Sequence, residues 1–493
     1  MSIATASNMR SRSSVGATGV LSAASRLRDD CDETRATNMR LLRSQGRGRQ
    51  SERTRASTSL LFQFQTLPFA FLLLTFRGSD RPLTQAVLTV PSAHADGTDW
   101  RRTGRSRSQV LTGGGEGVRH SAARKQRVWL NKSMSKNVGI GIIGTGFART
   151  TQIPAFQRVE GAFIASVASH SLENARATAA ACGAEHFTSD WCETVAHPQV
   201  DLVCITTPPI YHREMTLAAL ANNKHVLCEK PMAMNAAEAE EMCAAARGRE
   251  VLALIDHELR FQDGRQKAFK MLRQGRIGKI RHVKAFFRAP HRGDPNVAWN
   301  WWSDVDSGGG ALGAIGSHVI DSFNWLLGTP ISRIFCQLEA QIKTRVDKNG
   351  DDRKVTSDDE VNLILRFADS PLTQDTTGVV SLSMTEGPSY KNILELHGTD
   401  GAMKIDANGG VSIAPRGEKR WEMVDTDAGE TIEGIADTGF ARGFVSFAPR
   451  IIEAIREGRT AIEYAATFED GLAVQRVIDA AHESNASGNS VAI

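Results

Sequence analysis

The stretch VGIGIIGTGFART, residues 138–150, contains glycines whose spacing suits a phosphate group. A phosphate-binding glycine turn must follow a buried strand and open a helix. The turn that begins at Gly144 meets this requirement, because the apolar run VGIGII precedes it, whereas the earlier glycine frame follows the polar stretch LNKSMSKNV. Arg149 stands where a third glycine is usual, and we expect it to turn outward. The residues expected at the pyrophosphate, which sits at a helix N-terminus, are Gly144, Thr145, Gly146, Phe147 and Ala148.

Short apolar runs alternate with helical stretches after this turn. The runs are FIASVAS from residue 163, DLVCITT from 201, HVLCEK from 225 and VLALID from 251. Such alternation predicts a doubly wound parallel sheet, the Rossmann arrangement that binds dinucleotides.

The end of the second strand bears on the choice between NAD and NADP. In NAD proteins an Asp or Glu at this place binds the ribose hydroxyls. Here Ser169 and His170 occupy it, and Arg176 follows one helical stretch later. A hydroxyl and a cation suit the 2′-phosphate of NADP better, so NADP(H) is favoured and NAD(H) stays possible.

The segment TTPPIYHREMTLAALANNKHVLCEKPMA, residues 206–233, is more specific. It resembles the glucose-fructose oxidoreductase / inositol dehydrogenase / rhizopine-catabolism (Gfo/Idh/MocA) family of NAD(P)-dependent oxidoreductases. Glu229-Lys230-Pro231 is similar to that family's signature triplet. Thr207, Pro208 and His212 are similar to its nicotinamide-side loop. Further similar segments are GRIGKIRHVKAFF, GGGALGAIGSHVIDSFNWLLG, LHGTDGAM and FEDGLAVQRVIDAAHESNASG.

The resemblance covers about residues 136–493 and implies an α/β protein of two domains. An N-terminal Rossmann domain would occupy residues 136–258. A C-terminal α/β domain with a large, mostly antiparallel open sheet, often used for oligomer contacts, would occupy residues 259–493. A homo-oligomer is therefore expected.

Lys230 is the first expected catalytic residue. It follows a predicted buried strand and could exchange the proton that accompanies hydride transfer at an alcohol carbon, with Glu229 orienting it. The resemblance also implies an Asp and a His four residues apart on one helix face. Here the pair reads Ala314 and His318, so the His is retained and the Asp is missing. Lys230 and His318 are the expected catalytic pair, and Asp321 is expected to be structural.

Two neighbouring motifs keep two interpretations each. In DHELRF, His257 and Arg260 could touch substrate or cofactor, or an Arg/Glu pair could brace the domain junction. In AWNWWSD, the three tryptophans from residue 299 could form a sugar-stacking wall or simply fill the core, so they are left out of the predicted site.

Composition divides the chain in two. Residues 1–133 hold 22 basic and 9 acidic residues, whereas the remainder holds 37 basic and 46 acidic residues. The Arg- and Ser-rich residues 1–135 predict a disordered or targeting extension, or an over-extended start. The acidic remainder argues against nucleic-acid binding. No apolar run reaches membrane-spanning length. The seven cysteines show no disulfide or metal spacing, so no metal is expected and a reducing compartment is favoured.

These observations predict an NAD(P)-dependent oxidoreductase that acts on the CH–OH groups of a sugar-, cyclitol- or diol-like molecule. A cytoplasmic location is expected, or an organelle if the extension is a transit peptide. The alternative function is a catalytically silent dinucleotide-binding sensor, which the alanine at position 314 motivates.

Overall fold

The computed structural model describes residues 137–493. The predictions for residues 1–135 lie outside the described residues. Within the described part, no helix is both long and apolar enough to cross a membrane.

The first sheet is the predicted doubly wound parallel sheet. Its strand order is β17-β6-β5-β4-β1-β2-β3, and every pairing except that of β17 with β6 is parallel. The six parallel strands are β1 Val138–Ile143, β2 Ala162–Ala168, β3 His186–Thr188, β4 Leu202–Ile205, β5 His225–Cys228 and β6 Ala253–Ile255. The helices along this part of the chain are α1 Ile153–Gln157, α2 Leu172–Cys182, α3 Trp191–Ala196, α4 His212–Ala221 and α5 Ala236–Ala246.

The second sheet has nine strands in the order β16-β15-β14-β13-β7-β12-β11-β8-β18, and only β7 and β12 pair in parallel. Its mostly antiparallel character is the one predicted. Its strands are β7 Ile280–Arg288, β8 Ile331–Glu339, β11 Glu360–Phe367, β12 Thr373–Ser383, β13 Lys391–Gly398, β14 Gly401–Ile405, β15 Val411–Pro415, β16 Glu422–Met423 and β18 Val491–Ala492. The strands β9 Thr344–Val346 and β10 Asp352–Lys354 form a separate hairpin.

One face of the large sheet is covered by helices and forms a core with them. These helices are α6 Asp263–Arg273, α7 Ser317–Leu327 and α9 Phe468–Ser487. Alternation along the strands places one set of side chains in this core and the other set on the opposite face.

The C-terminal part of the chain also returns to the first sheet. Strand β17, Ala466–Thr467, adds to the edge of β6, and helix α8, Gly439–Arg456, packs Phe444 and Phe447 into the core of β1 and its neighbours. The predicted boundary after residue 258 falls between the two sheets, but the first sheet is completed by residues far beyond it. The chain returns to the first sheet because the apolar face of α8 is buried against it.

Candidate active site

The glycine turn after β1 has the geometry of a phosphate cradle. Gly144 has a φ of +95°, and a Cβ there would lie 2.6 Å from the carbonyl oxygen of Thr206. Only glycine fits so close an approach in this conformation. A Cβ on Gly146 would meet no atom within 4 Å, so its backbone faces open space that a pyrophosphate can enter. The residues present therefore fit a dinucleotide.

The first cavity, of about 420 Å³, opens at this turn. It brings together the predicted residues Gly144, Thr145, Gly146, Ser169, His170, Thr207 and Pro208. Trp191, Tyr211 and Trp301 add aromatic surface that was not predicted for the site. The ends of β1, β2 and β4 meet here because parallel strands present their carboxyl ends at one edge of the sheet.

Three predicted cofactor residues line neither this cavity nor the second cavity described below. The Arg176 guanidinium sits 5.4 Å from the centroid of the Phe187 ring, which gives it a partner on the protein surface. Ala148 is fully buried as the first residue of the helical turn after the glycines. His212 is also fully buried. The side chain of Arg149, in contrast, is exposed as expected.

His212 connects two functional loops. Its Nε2 lies 2.8 Å from the carbonyl oxygen of Thr207, and its Nδ1 lies 3.0 Å from that of Pro231. Burial lowers the pKa of His212, so the ring is neutral and donates one hydrogen bond. His212, which was predicted among the cofactor-binding residues, therefore supports the loops after β4 and β5 with a buried side chain.

The second cavity, of about 450 Å³, brings the predicted catalytic pair together. Lys230 and His318 both line it, as do Glu229, Phe147 and the retained loop residue Thr207. Its other lining includes Trp301, Trp302, Thr438 and Phe440. Two of the three tryptophans left out of the predicted site therefore belong to its wall.

Ala314 shares this cavity with Lys230 and His318, as the four-residue spacing predicts. The Lys230 ammonium donates a hydrogen bond of 2.9 Å to the backbone carbonyl oxygen of Ala314. A π-helical turn, Leu312–Gly316, precedes α7 and carries that carbonyl. The main chain at position 314 thus holds the lysine, although no carboxylate stands there.

His318 is 3% exposed and packs between two rings. The His257 ring centroid lies 5.4 Å away and the Phe440 ring centroid lies 4.9 Å away. Burial lowers the pKa of His318 well below its ordinary value, and the nearby Lys230 charge lowers it further. The ring is therefore neutral at physiological pH, and its Nδ1 has no hydrogen-bond partner within the described chain.

A group of buried acids behind Lys230 was not predicted. The Gln152 side-chain amide donates to the Asp256 carboxyl at 2.8 Å and to the Glu229 carboxyl at 3.2 Å. Burial raises the pKa of Asp256 well above its usual range, and the Glu229 and Glu258 carboxyls raise it further. Asp256 and Glu258 follow β6 directly, so their place at the carboxyl end of a parallel strand was the available signal.

Arg260 braces the two halves of the site. Its Nε donates to the Asp321 carboxylate at 2.9 Å, and its Nη2 lies 3.2 Å from the Asp470 carboxylate. Arg260 and Asp321 are both almost fully buried. Arg260 therefore braces the site, but its partners are Asp321 and Asp470 rather than the predicted Glu, and Asp321 has a structural role.

The helix that carries His318 has an anchor that sequence reasoning missed. The backbone N–H of Leu312 donates a hydrogen bond of 2.8 Å to the Asp358 carboxylate. Burial raises the pKa of Asp358 to about 6, so the carboxylate is charged at neutral pH. An acceptor at a helix start satisfies donors that have no partner within the helix.

Comparison with known proteins agrees with this geometry. Residues 138–257 match the family described as an oxidoreductase family with an NAD-binding Rossmann fold, and residues 265–404 match the GFO/IDH/MocA C-terminal domain. An uncharacterized oxidoreductase of Synechocystis sp. is 32% identical over 276 residues, which are 56% of this chain and 73% of that protein. Levoglucosan dehydrogenase of Pseudarthrobacter phenanthrenivorans is 28% identical over 294 residues, 54% of this chain and 73% of that protein.

A solved structure of levoglucosan dehydrogenase in complex with NADH and levoglucosan has a TM-score of 0.64 and 26% identity. The match covers 73% of this chain and 100% of that one. The parallel sheet with its glycine turn and the adjoining lysine cavity define a dinucleotide-binding oxidoreductase fold. The chain belongs to the Gfo/Idh/MocA oxidoreductase family.

Proposed function

We propose that the protein transfers a hydride between a nicotinamide dinucleotide and a carbonyl or secondary alcohol carbon. One observation carries the proposal: the lysine cavity and the glycine-turn cavity share Gly146, Thr206, Thr207 and Trp301. A dinucleotide that lies along the glycine turn would therefore reach the space that Lys230 and His318 line. When bound, the dinucleotide supplies the hydride acceptor or donor.

The chain's own residues would handle the proton and the substrate oxygen. Lys230 is held at the cavity wall by the Ala314 carbonyl oxygen and exchanges the proton with the substrate hydroxyl. His318, as a neutral ring, hydrogen-bonds the same oxygen. Glu229 adjoins Lys230 and orients it. Proton transfer would therefore fall to Lys230 in the loop after β5, and positioning of the substrate oxygen to His318 on α7.

The substrate we propose is sugar-like, cyclitol-like or a diol. Levoglucosan dehydrogenase, a relative, takes its name from a sugar derivative, and solved structures of it hold levoglucosan or L-sorbose. In this chain Trp301 and Trp302 give the cavity aromatic faces suited to stacking against a sugar ring.

The preference for NADP(H) over NAD(H) stays a prediction. Ser169 and His170 line the first cavity, and neither residue would repel a 2′-phosphate. The Arg176 guanidinium stacks on Phe187, so the cation expected at the 2′-phosphate already has another partner. Relatives solved with NADH show that NAD(H) suits the fold.

The experiment follows the intrinsic fluorescence of Trp301 and its neighbours during titration with NADPH and with NADH. Turnover is then measured on a panel of sugars, cyclitols and diols. Saturable quenching together with dinucleotide-dependent oxidation of a panel member supports the proposal. Failure of both dinucleotides to bind would contradict it. Equal binding of NADH and NADPH would contradict the NADP preference alone.

The alternative is a dinucleotide-binding sensor without turnover, favoured by the alanine at position 314. Binding without turnover on the whole panel supports it. In that case the Ala314→Asp variant is the next test, because it restores a carboxylate to the cavity. Turnover by the variant would show that the wild-type protein is inactive because it lacks a carboxylate at position 314.

A homo-oligomer formed through the large sheet is also proposed. Phe335, Ile364 and Val379 lie side by side on adjacent strands and are 38%, 59% and 39% exposed. An exposed apolar row on a sheet favours association. The Ile364→Lys variant should shift the mass measured by light scattering toward the monomer, with Gln199→Lys, at an exposed position away from the large sheet, as a control. A wild-type monomer at all concentrations would contradict the proposal.

The cytoplasmic location, and the absence of nucleic-acid and membrane partners, stay predictions. The excess of acidic over basic residues after position 133 supports the predicted absence of a nucleic-acid partner. The six cysteines of the described residues are free thiols, which is consistent with a reducing compartment.

A further inference from the structure

Glu258 is a buried carboxyl that reaches the second cavity. It begins the short 3₁₀ turn Glu258–Phe261 that follows β6, and it is 2% exposed. Its side chain lines the cavity beside Lys230 and Glu229. The Oε2 atom has no hydrogen-bond partner within the described residues. A buried polar atom without a partner is costly and calls for a ligand or a proton.

The turn that carries Glu258 is fixed from two sides. The buried pair of Arg260 and Asp321 ties it to α7, which also carries His318. Helix α8 packs directly on it, because a Cβ at Gly443 would lie 2.5 Å from the Glu258 carbonyl oxygen. The Glu258 carboxyl therefore keeps its place relative to Lys230 and His318.

Acids outnumber cations around Glu258. The Arg260 guanidinium already forms ion pairs with the Asp321 and Asp470 carboxylates. The other cations whose charges act on Glu258 are Lys230 and the buried Arg265 of α6. Helix α8 approaches the turn through the backbone at Gly443. The titratable or charged groups that surround Glu258 from the other elements are Glu229, Lys230, Asp256, His257, Arg260, Arg265, His318, Asp321 and Asp470.

Burial raises the pKa of Glu258 well above its usual range, and the Glu229 charge raises it further, while Lys230 opposes them. His257 and His318 are neutral, because burial lowers the pKa of each. Glu258 is thus an acid that keeps its proton while the cavity is empty.

This inference rests on the proposed function. We propose that Glu258 is the proton-carrying group of the cavity: it releases its proton to solvent when the oxidised dinucleotide binds, and it then accepts a proton from Lys230. The positive charge of an oxidised nicotinamide near Lys230 and Glu229 favours the charged carboxylate. The reduced ring is neutral and therefore does not stabilise the charged carboxylate.

The protons balance. In the oxidised complex, the Lys230 ammonium gives a proton to water in the cavity, which passes one on to the Glu258 carboxylate, so that an N–H bond breaks and an O–H bond forms. The resulting neutral amine accepts the substrate hydroxyl proton as the hydride leaves the same carbon for the dinucleotide. Lys230 ends as an ammonium and Glu258 as a neutral acid, which is the starting state. The one proton that alcohol oxidation must yield has already left at binding.

The test is calorimetric titration of the full chain with NADP+ and NADPH, with NAD+ and NADH in parallel, in phosphate and in Tris near pH 7. Because the two buffers differ in ionisation enthalpy, the difference in heat gives the protons released. We expect release of about one proton per site with the oxidised form and close to none with the reduced form. Affinity for the oxidised form should rise by up to about tenfold per pH unit, and affinity for the reduced form should not.

Three variants locate the proton. Glu258→Gln, which mimics the neutral acid, should bind the oxidised form with little proton release and a flat pH dependence. Glu418→Gln, an exposed acid beyond β15, should behave as wild type. Lys230→Met should still release a proton. Melting curves verify that each variant folds, and the wild-type comparison of oxidised and reduced forms stands without any variant.

The outcomes are distinguishable. Equal proton release with both redox forms of the wild type overturns the inference. So does release that persists in Glu258→Gln but disappears in Lys230→Met, because the proton then comes from the lysine. Either result leaves the oxidoreductase proposal intact. If no dinucleotide binds, the proposed function fails and the inference fails with it.

Discussion

The two cavities that meet at Gly146 and Thr207 are built in different ways. The first takes its walls from consecutive strand ends of one sheet, and its phosphate cradle is main chain around Gly144. The second takes its walls from the loops after β4 and β5, the turn after β6, the start of α7 and the approach to α8. The first cavity therefore lies mainly within one sheet, and the second exists only after segments from both sheets pack together.

The difference extends to electrostatics. The groups that line the first cavity are mainly backbone, hydroxyl and aromatic groups. The second cavity, in contrast, adjoins buried acids and neutral histidines whose pKa values burial has moved away from their ordinary values. Perturbed groups in a cleft are characteristic of chemistry rather than of simple binding. Changes in the first cavity should therefore affect affinity, and changes in the second should affect turnover and pH dependence.

The largest effect is expected for Lys230→Met. Turnover should fall by about a thousandfold, because proton transfer by a positioned group is lost. Dinucleotide affinity should change little, because the glycine turn is untouched. Steady-state kinetics and fluorescence titration measure the two quantities. Lys419→Met, at an exposed turn, is the control. Equal loss of binding and turnover would remove the proposed division between the cavities.

Next is the buried pair that braces the second cavity. Asp321→Ala leaves the Arg260 guanidinium largely buried with only Asp470 opposite it, and should lower the free energy of unfolding by about 3 kcal/mol. Urea denaturation measures this. Glu241→Ala removes the exposed pair with Arg213 and should have a much smaller effect. Similar losses in the two variants would show that Arg260 is not a brace.

The third prediction concerns how the free energy of unfolding depends on His257 as the pH falls. Burial lowers the pKa of His257 to about 4, so the folded ring stays neutral where the unfolded ring gains a proton. The stability that His257 contributes is complete above about pH 6.5 and is lost as the pH falls toward 4.

The advantage of wild type over His257→Gln in free energy of unfolding should therefore shrink by roughly 2 kcal/mol between pH 7 and pH 4.5. Parallel urea denaturation series of the two proteins measure the difference, which removes the contributions that they share. A difference that stays constant over this range contradicts the assignment. Above pH 7.5 the two stability curves should run parallel.

The smallest effect belongs to the first cavity. Ser169→Asp places a carboxylate at the end of β2, where it would repel a 2′-phosphate and bind ribose hydroxyls. The ratio of NADPH to NADH affinity should fall by about tenfold. Alcohol oxidation with saturating NAD+ should be unchanged, which contrasts with Lys230→Met. An unchanged ratio would mean that the adenosine end does not approach Ser169. Arg176→Ala tests whether the stacked arginine has any part in the preference.

Prediction from sequence succeeded where neighbours in the chain are neighbours in the fold. The turn from Gly144 to Gly146, the strand alternation and the loop at Thr207 depend on local apolar runs and on backbone conformations that few residues tolerate. His318 and Ala314 share a wall because helical spacing is itself local. The contact of Arg176 with the Phe187 ring joins two separate segments, which the sequence did not predict, and a part for Arg176 in cofactor binding stays a prediction.

Sequence by itself determined the family, the two kinds of sheet and the lysine and histidine that face one cavity. The parallel sheet follows from periodicity, whereas the family, the antiparallel sheet and the lysine–histidine pair follow from the resemblance of contiguous motifs to a known family. Only the tertiary structure showed that Glu258 reaches this cavity, that Trp301 lines both cavities and that Asp358 anchors the helix of His318. Burial, and therefore the charge of an acid, depends on what packs around it. That packing comes from segments as distant as α8, which no pattern near residue 258 reveals.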